Sequence, residues 1–123
     1  MGKPFLVSVV DDDESVRESL PDLLRQFGYA ARAFSSSEAF LASGVVTETS
    51  CLILDIAMPG MSGPDLQEEL KRRRQEIPIV FITARNDETE RQRLLAQGAA
   101  ECLFKPFSET DLIRALDIAL RTN

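Results

Sequence analysis

Short apolar runs separated by helical repeats constrain this chain more than any other feature. Phe5 to Val10 reads as a first strand, Ala30 to Phe34 as a second and weaker one, and Cys51 to Leu54 as a third. Ile77 to Ile82 and Glu101 to Phe104 supply the fourth and fifth. Between the first two, Val16, Leu20, Leu23, Leu24 and Phe27 recur at helical spacing, and Gly28 closes that helix. Pro21 lies inside it and removes one backbone hydrogen bond. Ser35 to Ser37 cap a short helix through Ala42, closed by Gly44. Met58 to Gly63 reads as loop. Pro64 fits the first position of a helix that carries Leu66 and Leu70 and ends in basic Lys71 to Arg74, which suits its negative terminus. Asp87 to Gln97 is a polar helix ended by Gly98. Ser108 caps a last helix to Arg121 with Leu112, Leu116, Ala119 and Leu120 as its stripe.

Five strands alternating with five helices predict a parallel sheet covered on both faces. The near-continuous apolar character of the strands agrees, because each is buried on both sides. At this length the common solution is α/β, the flavodoxin-like doubly wound order 2-1-3-4-5. A chain of 123 residues makes one domain, residues 1–123, with one core. In that order the fourth strand separates Cys51 from Cys102. The two thiols are then about 10 Å apart or more and out of disulfide reach, as expected of a reduced cytoplasmic protein.

Composition narrows the chemistry. The chain has no histidine, which removes Ser-His-Asp and Cys-His catalysis, histidine-bearing zinc sites and a histidine pH switch. Fourteen basic against twenty acidic residues give a net charge of −6, a surface that repels phosphate backbones and argues against direct nucleic-acid contact. No apolar run approaches the roughly 18 residues that span a bilayer. The start, Met1-Gly2-Lys3-Pro4-Phe5, carries no cleavage-type pattern. It matches a myristoylation site only weakly, since residue 6 is Leu.

In an open parallel sheet, ligands sit beyond the carboxyl ends of the strands. The first strand ends in Asp11-Asp12-Asp13, the third in Asp55, the fourth in Thr83-Ala84 and the fifth in Lys105-Pro106. Each alone has an ordinary explanation: Asp13 as a helix cap, Asp55 in a turn, Thr83 in a strand, Lys105 in a solvated loop. Together, four strand ends bring carboxylates, a hydroxyl and an ammonium to one edge. Carboxylates about 5 Å apart repel by roughly 3 kcal/mol at an effective dielectric near 20. Such a cluster makes sense around a hard divalent cation, and oxygen-only ligands favour Mg²⁺ (or Mn²⁺). A cation there draws in a phosphoryl group, which a neighbouring carboxylate can attack to form an acyl phosphate.

The chain resembles, over essentially its whole length, a receiver domain of a two-component response regulator. The resemblance rests on Val10-Asp11-Asp12-Asp13, on the run Leu54-Asp55-Ile56-Ala57-Met58-Pro59-Gly60-Met61-Ser62-Gly63, on Ile82-Thr83-Ala84, on Gly98-Ala99-Ala100 and on Phe104-Lys105-Pro106-Phe107. It implies that Asp55 accepts phosphate from a phosphohistidine on a sensor histidine kinase or phosphotransfer protein. It implies that Asp12 and Asp55 ligate Mg²⁺ directly, that Asp11 acts more often through water, and that the Ala57 carbonyl completes the set. Thr83 and Lys105 would hold the phosphoryl group, with the Lys105-Pro106 bond cis. It further implies an output surface on the fourth helix, fifth strand and fifth helix, with homodimerisation on phosphorylation as one form of output. Transcription regulation through a DNA-binding output is the commonest arrangement when such a chain is longer. Ala57 and Arg85, two residues past Asp55 and Thr83, stand where the family tunes hydrolysis, and a small Ala57 points to a short-lived phosphate. One departure is Cys102, which stands three residues before the lysine where many relatives carry Tyr or Phe. Phe104 shares its alternation parity.

Other classes fit less well. An aspartyl-phosphate phosphatase of the haloacid-dehalogenase type needs a second Asp two residues after the nucleophile, and that residue is Ala57. A flavodoxin-like flavin carrier needs a hydroxyl-rich phosphate loop where Asp11 to Glu14 stand. A receiver-shaped interaction module that is never phosphorylated is the remaining alternative.

Overall fold

A computed structural model describes residues 4–121; the Met1-Gly2 start lies outside the described residues. The strands are β1 (Leu6–Val10), β2 (Ala30–Phe34), β3 (Thr49–Asp55), β4 (Ile79–Thr83) and β5 (Glu101–Phe104). The helices are α1 (Glu14–Gln26), α2 (Ser37–Ala42), α3 (Gly63–Arg72), α4 (Glu88–Ala96) and α5 (Glu109–Arg121). All strand pairings are parallel and the order is β2-β1-β3-β4-β5, the flavodoxin-like arrangement expected.

Strand alternation divides the core into two layers. On one face Val7, Val9, Cys51, Ile53, Val80 and Ile82 pack against Leu20 and Leu24 of α1 and Leu112 and Leu116 of α5. On the other, Val10, Leu52, Leu54 and Phe81 pack against Phe40 of α2, Leu66 and Leu70 of α3 and Leu94 of α4. The thiols fall on opposite faces, Cys51 in the first layer and Cys102 in the second, and both are free. No helix among the described residues is long and apolar enough to cross a membrane.

Element ends differ from the sequence reading where polar groups find partners the sequence does not advertise. β3 starts at Thr49 rather than Cys51 because the Thr49 hydroxyl donates to Val45 O at 2.8 Å and lies 2.8 Å from the Ser8 hydroxyl on β1. Two hydroxyls that satisfy each other cost little to bury. A 3-10 turn, Val46–Glu48, precedes it. β4 begins at Ile79 rather than Ile77; Pro78 contributes only its carbonyl, which accepts from Leu52 N at 2.9 Å. In α3 the cap is Ser62, in a reciprocal box with Asp65, so Gly63 takes the first helical position and Pro64 the second. Asp13 caps α1 by accepting from Ser15 N, as read from sequence. Gly98 closes α4 at φ +110°, a backbone that only glycine adopts without strain.

Burial pushes the Cys51 thiol up to about 12 and the Cys102 thiol to about 11. Both are therefore almost wholly protonated at neutral pH and shielded from reagents. Native protein exposed to iodoacetamide at pH 8 should keep its unmodified mass, and denaturant should expose two alkylation sites. Rapid labelling of the native fold, read by intact mass, would contradict this packing.

Candidate functional site

The carboxyl ends of β1, β3, β4 and β5 converge on one edge of the sheet, and each places its side chain by backbone bonding. Asp11 follows β1 directly; its N–H donates to Phe34 O at 3.1 Å on β2. Its Oδ1 accepts from Asp13 N at 2.9 Å, and Arg17 Nη1 donates to its carbonyl at 3.1 Å. Asp11 is thereby fully buried, whereas Asp12 stays exposed. Asp55 ends β3 and is 7% exposed. The next residue, Ile56, donates to Ile82 O at 3.1 Å, which ties the turn after Asp55 to β4.

Thr83 ends β4, buried, with Oγ1 accepting from Arg85 N at 3.0 Å. Its carbonyl accepts from Lys105 N at 2.7 Å, so the β4 and β5 ends are fastened together just before the lysine leaves the sheet. The Lys105-Pro106 bond is cis. Lys105 Nζ donates to Asp11 Oδ2 at 2.9 Å and lies 3.7 Å from Asp55 Oδ1. Asp11, Asp12 and Asp55 each present a carboxylate oxygen, and these oxygens lie within 4.8 Å of one another.

Two of those carboxylates are buried and one ammonium offsets them. Burial first, then the charge of Asp11, holds the Asp55 carboxyl up at about 6; Lys105 draws it partly back and Asp12 adds to the rise. Burial alone would lower the Lys105 ammonium, but the hydrogen bond to Asp11 and the charges of Asp55 and Asp11 outweigh it, and the net direction is upward. The cluster thus carries more negative charge than its lysine neutralises. Its donors are all oxygen, which fits a hard divalent cation rather than a soft one.

Ala57 and Arg85 are exposed on the rim, and Met58 folds back into the α2–α4 layer. Cys102 is 3% exposed in that layer, and Phe104, half-buried, pairs in register with Thr83. Sequence reasoning missed three supports. Arg17, one turn into α1, anchors the Asp11 carbonyl; nothing in its spacing announces this. Glu38 of α2 accepts from Met61 N at 3.0 Å and steadies the turn that carries Ala57. Gly63, read as loop, lies where a Cβ would sit 2.4 Å from the Asp55 carbonyl and 3.1 Å from Phe81, so any side chain there displaces the Asp55 backbone. A glycine directly before a helix-initiating proline is the one signal that marks it.

The family model for the response regulator receiver domain matches residues 7–117. The chain belongs to the response regulator receiver domains. As a receiver it is 43% identical over 111 residues to Nodulation protein W of Bradyrhizobium diazoefficiens, which covers 90% of this chain and 49% of that protein. It is 38% identical over 120 residues to the transcriptional regulatory protein FixJ of Azorhizobium caulinodans, covering 98% of this receiver and 57% of FixJ. Among solved structures, the response regulator StyR superposes with a TM-score of 0.87 at 46% identity, over 98% of this chain and 60% of that one. The receiver spans about half the length of the curated relatives it matches.

The raised Asp55 carboxyl fixes a sign for stability. Its folded value of about 6 lies above the ordinary 3.8, so the native state holds that proton more tightly than the unfolded chain. Stability of the metal-free domain therefore falls as pH rises from about 4 to about 6, by at most about 3 kcal/mol from this group. Asp55→Asn should raise the thermal midpoint at pH 7.5 and lose most of that gain at pH 4, where the wild-type carboxyl is already protonated. An equal gain at both pH values, read by circular dichroism, would refute the assignment of the strain to this carboxylate.

Proposed function

We propose that this receiver is a phosphorylatable switch: Asp55 takes a phosphoryl group from a phosphohistidine on a sensor histidine kinase or phosphotransfer protein. The observation that carries this reading is the placement of Lys105 Nζ at 2.9 Å from Asp11 and 3.7 Å from Asp55, inside a set of three carboxylates. Mg²⁺ (or Mn²⁺) would be held by Asp11, Asp12, Asp55 and the Ala57 carbonyl, and when bound it supplies positive charge to the oxygens of the incoming phosphoryl group.

An Asp55 carboxylate oxygen attacks phosphorus in line as the bond from phosphorus to the donor's imidazole nitrogen breaks; with the donor ring protonated on its other nitrogen, the products are an acyl phosphate and a neutral histidine on the partner. Lys105 already stands between the two buried aspartates and offsets charge on the transferred oxygens. The Thr83 oxygen accepts from Arg85 N, which leaves its proton to donate to a phosphoryl oxygen. Water later hydrolyses this mixed anhydride, returning the Asp55 carboxylate and releasing inorganic phosphate. Ala57, small and exposed, gives that water room, which favours a phosphate lost within hours rather than days.

Movement of Thr83 towards the phosphoryl group would pull the end of β4 and the α4 segment after it, biasing the face built by α4, β5 and α5. Cys102 offers no aromatic ring to rotate. What links α4 to β5 is Arg91, whose Nε donates to Cys102 O at 3.2 Å and whose Nη2 donates to Glu101 Oε1 at 2.8 Å. That grip supports a backbone route for the signal. A transcriptional output, through a part of the protein beyond this receiver, is the reading that a relative named as a transcriptional regulatory protein supports, with homodimerisation on phosphorylation as one form of that output. A receiver-like interaction module that is never phosphorylated is the alternative, and no feature of the site favours it.

Incubation with acetyl phosphate and Mg²⁺ should add the mass of one phosphoryl group to the native protein, and Asp55→Asn should abolish it. Absence of the adduct, or equal labelling of the variant, would defeat the switch reading.

Asp12→Asn, at the exposed corner of the carboxylate set, should stabilise the metal-free fold slightly and weaken Mg²⁺ binding tenfold or more. Unchanged Mg²⁺ affinity by titration would remove Asp12 from the proposed ligands.

A further inference from the structure

At the end of the sheet opposite the acidic cluster, a cavity of about 600 Å³ opens among the C-terminal ends of α3, α4 and α5 and the lead-in residues of β4 and β5. Its size is that of a small-molecule site, and its walls are mainly apolar, with Leu70, Ile79 and Ile118 among them. None of its lining belongs to the phosphorylation machinery described above.

Two features set this cavity apart from a plain groove. The first is Gln67 in its wall. That residue is 3% exposed, and its Oε1 has no hydrogen-bond partner. A buried amide oxygen left orphaned costs free energy that a donor would restore. The terminal torsion of a glutamine is broad, so the carboxamide can turn to meet a donor in the cavity with little rearrangement.

The second feature is charge. The charged residues of the lining are Lys71, Arg74 and Glu76, two cations to one carboxylate. The Lys71 ammonium is already engaged, donating to Gln97 O at 2.7 Å and lying 3.8 Å from Glu68. The exposed Arg74 guanidinium has no ion-pair partner among the described residues. Its backbone sits at φ +58°, a position just past the helix end where glycine is the cheaper residue. The negative ends of α3, α4 and α5 oppose an anion here. Theirs are half-charges that fade within a turn, and the Gln97 carbonyl is already taken by Lys71, whereas Arg74 carries a full charge with which an acidic group can pair directly.

We propose that this cavity binds a small organic anion: an apolar body against Leu70, Ile79 and Ile118, an N–H or O–H group donating to Gln67 Oε1, and an acidic group paired with Arg74. The site is separate from the phosphoacceptor cluster and stands whether or not Asp55 is phosphorylated.

Indole-3-acetate carries all three features and serves as the probe; 1-methylindole-3-acetate lacks the donor and 3-methylindole lacks the acid. Titration of ¹⁵N-labelled protein into the millimolar range should give saturable amide shifts around residues 67–79 and 97–100. Removing either the donor or the acid from the probe should weaken binding by roughly tenfold. Arg74→Glu should reproduce the loss for indole-3-acetate and leave 3-methylindole unaffected. Gln67→Leu, which fills the wall without an orphan oxygen, should fold and should erase the difference between the methylated and unmethylated acids. Shifts that do not saturate, that cluster around Asp11 and Asp55 instead, or that ignore Arg74→Glu would overturn the proposal. So would equal binding of the methylated probe to the wild-type protein.

Discussion

The ion pair between Lys105 and Asp11 is the interaction on which the functional edge depends. It joins residues 94 positions apart, one after the last strand and one after the first, across a sheet in which β3 and β4 lie between them. Asp11 is wholly buried, and a buried carboxylate without a partner is among the most costly groups a fold can hold. The lysine relieves that cost only if its backbone is aimed, which the bond from Lys105 N to Thr83 O provides. The position of the outer strand and the neutralisation of the acidic corner are therefore coupled in the native fold.

Because one ammonium stands between two buried carboxylates, the corner remains electron-rich. Coulomb's law at an effective dielectric near 20 leaves about 3 kcal/mol of repulsion for a close like-charged pair, and Asp12 lies within 4.8 Å of the others. A tightly self-satisfied triad would have no use for an incoming cation or for the anion such a cation brings. The imbalance, more than any single residue, suits this edge to bind and release charge.

Much of this was legible in the sequence, and the reasons are physical. Strands buried on both faces write themselves as apolar runs, so the strand order and the two-layer core followed from Val7-Val9-Val10, Leu52-Ile53-Leu54 and Val80-Phe81-Ile82. Residues at the carboxyl ends of such strands must meet, so Asp11, Asp55, Thr83 and Lys105 could be named before their distances were known. Illegible were the contacts that ignore periodicity. Arg17 reaches a carbonyl, Glu38 reaches a loop amide, and Gly63 matters for what it lacks against the Asp55 carbonyl. The start of β3 was hidden as well, since Thr49 and Ser8 are polar letters whose mutual hydroxyl bond only the fold creates.

That hydroxyl pair has a consequence at a distance. In a parallel ladder, sliding one strand by a single residue turns every side chain to the opposite layer. The Ser8–Thr49 bond joins the middle of β1 to the first residue of β3, across the place where their pairing shifts between Leu6 and Val7. It ties the two strands together over that irregularity, and above it the pairing runs unbroken to Val10 level with Leu54, which brings Asp11 and Asp55 to the rim at one height. Two uncharged hydroxyls thus clamp the irregular stretch between the strands that carry carboxylates they never touch.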